Sequence, residues 1–356
     1  MIIAENKAIY IADIQVILPT IYKAAEVVKR VYCNGPKAIS ESFAEKTVNR
    51  INIKYRPLII DPDALPERKL LKPEYSSLQW GITLIDRLTQ IIPKKEIGFF
   101  GLAYNVSSVT ETLPNLSARI ISKSRLNLDI PPDEKVSYGC ASGMLVLENA
   151  INYCHRFNKP AIVYVFDQCS WAANIIKDRD NPDFKNSFIN SLLFGDGGAG
   201  LLIIPSGYKK QFSGNTLRIH HLVNAFQPAD TLYFDQNGLQ LDDKIQDKIP
   251  ELAVNKIVIP LMHETQESPD SITEWSIHQG GVPILEQFGK KSLLGLNEKQ
   301  LAPSRNLYLK YGNLSSASAF FVLNDHFYNQ KPTGTKGIVL SYGAGFYLGG
   351  FLYEKK

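Results

Sequence analysis

The chain has 356 residues, 44% hydrophobic and 21% charged, which suits one large domain or two fused halves with an ample core. Its formal charge of +4 is spread over lysine pairs such as Lys94-Lys95, Lys209-Lys210 and Lys290-Lys291 rather than a stripe, which speaks against a nucleic-acid surface. Four cysteines without CxxC spacing, six histidines without HExxH or other metal spacing, no signal-like opening and no apolar run of bilayer length argue against a disulfide framework, a metal site or a membrane span, and lead us to expect a cytoplasmic protein.

In chain order, residues 8–16 read as a β-branched strand and 21–32 as a helix. Lys54 and Arg56 follow in INIKYRP, ahead of a polar, proline-bearing linker at 57–73. A helix is expected at 74–90, a strand at 96–103, a helix at 113–124 and a strand at 135–138. That strand enters YGCASGM at Tyr138 and then a helix over 143–156, where Met144, Leu147, Ile151 and Cys154 recur at three and four and make one apolar face. This assigns Cys154 to the core. A strand at 161–167, a linker at 178–186 and a strand at 199–204 complete the first half. The glycine-rich segment 193–200 has no following GK[ST], so it reads as a tight turn supporting a site and not as a phosphate loop.

The second half opens on a linker at 206–214 and a surface excursion at 230–243. Helices are expected at 250–264, 283–293 and 316–328, and strands at 272–277, 337–342 and 346–353. Alternating strands and helices argue an α/β architecture with buried sheets. The stretch YGNLSSA at Tyr311 repeats the pattern of YGCASGM, which reads as an internal duplication.

Chemistry gathers at the turns. Cys140 stands where a helix begins, and unpaired N–H groups there favour a thiolate; the same position also suits a small buried cysteine. His278, in EWSIHQGG, emerges at a strand end on a glycine turn, the setting of an active-site or a structural histidine. Asn313 offers a neutral donor. The segment 341–346, SYGAGF, is either a donor loop for a carbonyl oxygen or a plain hairpin turn.

Together, GCASG, FGDGGAG, WSIHQGG, KYGNLSSAS and the closing GAGFYLGG resemble the thiolase-fold condensing enzymes. Within them the chain is similar to ketoacyl-ACP synthase III and the chalcone-synthase-like type III polyketide synthases, with the motifs in that family's order. The resemblance implies a thiolase fold: two pseudo-duplicated βαβαβαββ halves, 1–205 and 206–356, in five αβαβα layers, usually as a homodimer. It implies that Cys140 carries the acyl group with His278 and Asn313 as catalytic partners, and that the N–H groups of Cys140 and of Ala344 or its neighbour Gly343 form an oxyanion hole. It makes the two turns symmetry mates, with Asn313 opposite Cys140. The implied reaction loads an acyl group from acyl-CoA or acyl carrier protein and joins it to a malonyl-type or β-keto thioester by Claisen condensation, with no cofactor and no metal.

Leu113 falls where type III enzymes carry a methionine that reaches into the partner's cavity, and Leu241 where they carry a gatekeeper phenylalanine. Gln279 departs from their HPGG. Lys54 and Arg56 are candidates for contacts to CoA phosphates or an acidic carrier protein, or are ordinary solvated cations. These departures point to a pathway-specific synthase. A single-round fatty-acid initiation enzyme, a non-condensing acyltransferase and a non-catalytic partner subunit remain the alternatives.

Overall fold

The computed structural model describes residues 8–35, 37–111, 113–212, 214–229, 232–235, 238–241 and 245–356. Nine strands form one sheet: β1 (Ile9–Ile17), β2 (Phe99–Tyr104), β3 (Asp133–Val136), β4 (Ala161–Gln168), β5 (Asp196–Pro205), β6 (Leu217–Phe226), β7 (Glu274–Ile277), β8 (Lys336–Tyr342) and β9 (Tyr347–Lys355). Their order is β7-β8-β9-β6-β1-β5-β4-β2-β3. From the centre outward each side repeats one rule. β1–β5 and β5–β4 are antiparallel and β4–β2 is parallel; β6–β9 and β9–β8 are antiparallel and β8–β7 is parallel. The two sides meet through a short antiparallel contact that pairs Ile9 with Ile219 and Ile11 with Leu217.

The burial pattern follows from the composition of the strands. β4 and β5 are buried along their whole length, so both faces need cover. One face of the first half (Phe100, Leu102, Ile162, Tyr164) packs under helices Ala24–Tyr32, Ser77–Leu88 and Leu116–Ser124. The other face (Phe99, Val163, Val165, Leu201) meets two central helices, Ser142–Phe157 and Ser318–Tyr328, which also cover Val339 and Phe351 of the second half. The far face of the second half (Ile338, Leu340, Trp275, Ile277) lies under Ile245–Ala253, Val282–Gln287 and Glu298–Tyr311. This is the expected αβαβα stack. The central helices approach closely because Gly143 has no side chain: a Cβ there would stand 2.6 Å from the Phe320 ring.

Several elements differ from the sequence reading. β6, LRIHHLVNAF, carries an interior His pair that masks its alternation. Helix Glu298–Tyr311 holds Pro303 yet starts on a capping box between Asn297 and Gln300. Helices Glu41–Ile51 and Phe184–Leu193 also went unread, the second overlapping the expected linker at 178–186. Residues 21–23, read as the start of a helix, belong to a strand, Thr20–Lys23, paired with Tyr55–Leu58. The excursion at 230–243 contains a hairpin, Leu232–Asp235 with Gly238–Leu241, and its remaining residues lie outside the described ones.

Candidate active site

β3 delivers the chain to Gly139, whose φ of 63° turns it into a short 3₁₀ segment, Gly139–Ala141, and then into the central helix from Ser142. Cys140 sits in the middle of that segment. In the second half, Ser315 takes the same left-handed turn at φ 51°, Ser315–Ala317 is again 3₁₀, and the helix starts at Ser318. Tyr138 and Leu314, which precede these turns, have nearly identical backbones (φ −98°, ψ 23° and φ −87°, ψ 22°).

The structural mate of Cys140 is therefore Ser316, not Asn313. The Tyr-Gly letters that suggested the other pairing are out of register with the backbone. Asn313 stands ahead of its turn, held by Leu193 and Gly195: its N–H donates to Leu193 O at 2.9 Å, and its carbonyl accepts from Gly195 N–H at 3.0 Å. The glycine-rich segment, expected as a tight turn, is strand from Asp196 onward, and its first residues hold Asn313.

The Asn313 amide is oriented as well. Its Oδ1 accepts from Ser315 N–H at 2.8 Å, and its Nδ2 donates to Gly280 O at 3.3 Å. Gly280 (φ 62°) belongs to the turn that carries His278 out of β7. The backbone N–H of His278 donates to Leu340 O at 2.8 Å, and its ring stands edge-on to Tyr342 at 5.3 Å between centroids. The Nδ1 atom has no hydrogen-bond partner among the described residues. Burial pushes the imidazole down to about 3, so it rests neutral.

Burial also governs the thiol. Desolvation pushes Cys140 up to about 12 and the Asp167 charge acts in the same direction, while the Ser315 hydroxyl and the residue's own backbone N–H pull it down. The sequence had suggested a thiolate stabilised by the helix start. The loss of water outweighs that benefit, and the pair rests as thiol and imidazole.

The loop after β8 lies directly on the turn that carries Cys140. A Cβ at Gly139 would stand 2.6 Å from Ala344 N, and one at Gly343 would overlap the backbone nitrogen of Cys140. The N–H of Gly343 donates to Tyr347 O at 3.0 Å, so it is spent inside its own loop. Ala344 is the better placed of the two expected donors.

Two polar groups escaped the sequence reading. Asp167, fully buried near the end of β4, accepts from Asn105 N–H at 2.7 Å, Asn105 Nδ2 at 2.9 Å, Val106 N–H at 2.8 Å, Ser316 N–H at 3.1 Å and Ser316 Oγ at 2.6 Å. Asn105 Nδ2 also reaches Gly139 O at 3.3 Å. An acid closing the apolar run AIVYVFD was the available signal. Ser315 places its Oγ 3.3 Å from the Cys140 sulfur. It stood inside YGNLSSA, hidden by the mistaken register.

Cys140, His278 and Asn313 line one cavity of ≈ 1990 Å³, together with Gly343 and Ala344. Aromatic and aliphatic side chains such as Phe43, Phe184, Phe188 and Ile284 line it too, as do the exposed cations Arg50, Arg179 and Lys185. Lys54 is exposed but absent from the lining. Arg56 is not a surface cation. It is 3% exposed, donates to Ser191 O and packs in the cavity wall near the buried Asp196. Leu113 is 91% exposed and lies outside the lining of this chain's own cavity. The backbone of Leu241 pairs with Leu232, and its side chain lies outside the described residues. Among the described residues no group of His, Cys, Asp and Glu could hold a metal, and no helix is long and apolar enough to cross a membrane.

Residues 233–355 match the family of chalcone and stilbene synthases, C-terminal domain. The α-pyrone synthesis polyketide synthase-like Pks18 of Mycobacterium tuberculosis is 25% identical over 270 residues, which are 73% of this chain and 65% of that relative. A putative chalcone synthase of Bacillus subtilis is 24% identical over 253 residues, 68% of this chain and 67% of that one. Among solved structures, germicidin synthase from Streptomyces coelicolor, a type III polyketide synthase, superposes with a TM-score of 0.80 at 18% identity, over 98% of this chain and 100% of that one.

Proposed function

Taking as premise that the chain is a homologue of the type III polyketide synthases within the thiolase-like condensing-enzyme superfamily, we propose that it extends an acyl-CoA by decarboxylative Claisen condensation on Cys140. The observation that carries this reading is the one cavity lined by the Cys140 thiol from the turn after β3, the His278 imidazole from the glycine turn after β7 and the Asn313 amide from the turn after helix Glu298–Tyr311.

The steps follow from the geometry. The sulfur attacks the thioester carbonyl of R–CO–S–CoA as His278 takes its proton, and the negative oxygen is met by the N–H groups of Cys140 and Ala344. Collapse gives Cys140–S–CO–R, and the proton passes to the departing CoA thiolate. A malonyl thioester then loses CO₂. The enolate oxygen receives hydrogen bonds from the neutral imidazole and from the Asn313 amide. The enolate carbon attacks the acyl-Cys carbonyl, and the sulfur leaves with a β-ketoacyl-CoA as product. A resting neutral pair suits this sequence, because a neutral imidazole can accept a proton in the first half and donate a hydrogen bond in the second.

CoA is the carrier in this reading. Arg50, Arg179 and Lys185 at the cavity offer cations to its phosphates, and Lys54 adds to the outer field. A cavity well above the ~300–1,000 Å³ of ordinary ligand sites favours repeated extension over a single fatty-acid initiation round. The exposed Leu113 fits a homodimer in which it covers the partner's cavity. The test is intact-mass measurement after incubation with a panel of acyl-CoAs, followed by malonyl-CoA. The expected result is an acyl adduct lost in Cys140→Ala and a product longer by two-carbon units. Turnover of the donor with release of free acid and no new C–C bond would refute the reading.

A further inference from the structure

We propose that the Ser315 hydroxyl is a hydrogen-bond donor to the Cys140 thiolate, and so a further residue acting directly on the reacting atom; this rests on Cys140 being the nucleophile, as above. Ser315 Oγ lies 3.3 Å from the sulfur, and Ser315 is 6% exposed. While the sulfur is protonated, either atom can donate. Once the proton leaves, only the serine O–H can.

The backbone supplies a second, independent observation. Ser315 holds φ 51°, a left-handed conformation that costs an ordinary residue and costs glycine nothing. Its structural mate in the first half is Gly139, at φ 63°. The fold therefore accepts a glycine at this turn and uses one in the other copy. At the copy that faces the sulfur the chain carries a serine instead, and the difference between the two is a CH₂OH group aimed at the thiol. Strain of this kind is kept where the side chain does something the turn itself does not need.

The backbone that carries the hydroxyl is also held in place. Ser315 N–H donates to Asn313 Oδ1 at 2.8 Å, so the residue that orients the amide for the enolate is the one that touches the nucleophile. The other titratable groups around the sulfur come from separate elements: Asp167 near the end of β4, Cys169 just beyond it, His278 after β7 and Tyr342 at the end of β8. Asp167 opposes a negative sulfur, and Ser315 is the side chain in hydrogen-bond contact with it. In the reaction the serine gives up no proton. It steadies the thiolate that attacks, and again the thiolate that leaves after condensation.

The test uses Ser315→Gly and Ser315→Ala in the full chain. Glycine relaxes the turn and deletes only the hydroxymethyl group, so it separates the hydroxyl from any structural role. The readout is the rate of iodoacetamide alkylation at Cys140 against pH, followed by peptide mass, with Cys33 as internal reference, beside the rate of acyl-CoA loading. We expect the Cys140 profile to move toward alkaline pH in both variants, slowing alkylation by about 10- to 100-fold at any pH on its rising limb. Loading should slow in parallel, and the glycine variant should melt no lower than the parent. A glycine variant with the parent's alkylation profile overturns the proposal, whatever its loading rate. A parent protein that takes up no acyl group on Cys140 overturns instead the reading on which the proposal rests.

Discussion

Replacing Gly343 with alanine tests the alignment of the site without touching a reacting side chain. Gly343 has an extended backbone (φ −160°), so alanine meets no conformational penalty there, only a spatial one. The added methyl would overlap the Cys140 nitrogen and stand 2.9 Å from the Gly139 carbonyl carbon and 3.1 Å from the Cys140 Cα, where ordinary contact begins at 3.4 Å. All three are backbone atoms, so no side chain can rotate away. The loop and the nucleophile turn must separate by about 1 Å, a displacement that costs on the order of 100-fold when it misplaces reacting groups. In the proposed reaction the loop also presents Ala344 to the oxyanion, and loss of that donor would be worth about 100- to 1,000-fold. We therefore expect Gly343→Ala to slow acyl loading of Cys140 by at least about 100-fold, measured by quenched-flow mass spectrometry, with a lower melting temperature. Loading within about twofold of the parent would refute the claim that this loop shapes the site.

Three further outcomes follow from buried groups. Asp167→Ala strands donors on Asn105, Val106 and Ser316 and should lower unfolding stability by about 3 kcal/mol or more in urea titration; an unchanged midpoint would contradict the network. Because burial holds His278 at about 3 and Cys140 at about 12, alkylation of Cys140 should climb about tenfold per pH unit from pH 6 to pH 10. A plateau below pH 8 would instead reveal a thiolate–imidazolium pair. Burial raises Asp196 to about 6, above its unfolded value, so the folded state binds the extra proton and stability from this group grows as pH falls from about 6 toward 4. Asp196→Asn should flatten that part of the pH–stability curve, and a curve of unchanged shape would refute the assignment.

Much of this was legible in the letters. The strands announced themselves by β-branched runs, and Cys140, His278 and Asn313 by their place at glycine turns. What stayed hidden was hidden for physical reasons. Leu217–Phe226 is a long central strand, yet its His220-His221 pair interrupts the alternation that marks strands. Arg56 comes two residues after the exposed Lys54 and is buried by a fold that brings Ser191 and Asp196 to it. The register of the duplication was misread because identical letters, Tyr-Gly, occupy different backbone states: Gly139 makes the left-handed turn itself, whereas Gly312 lies three residues before Ser315, which makes it. Backbone angles, not residue identities, carry the repeat.

That repeat bears on how many places in one subunit can receive a foreign carbonyl. A duplicated turn ought to supply two. In the second half, however, the Asp167 carboxylate already occupies the spot, clasped by the N–H and hydroxyl of Ser316 as a permanent tenant supplied by the neighbouring strand. In the first half, Gly343 contributes no side chain to fill the corresponding place beside Cys140. The asymmetry turns one copy into a fixed joint that ties the halves together and, in the proposed reaction, leaves the other for the substrate.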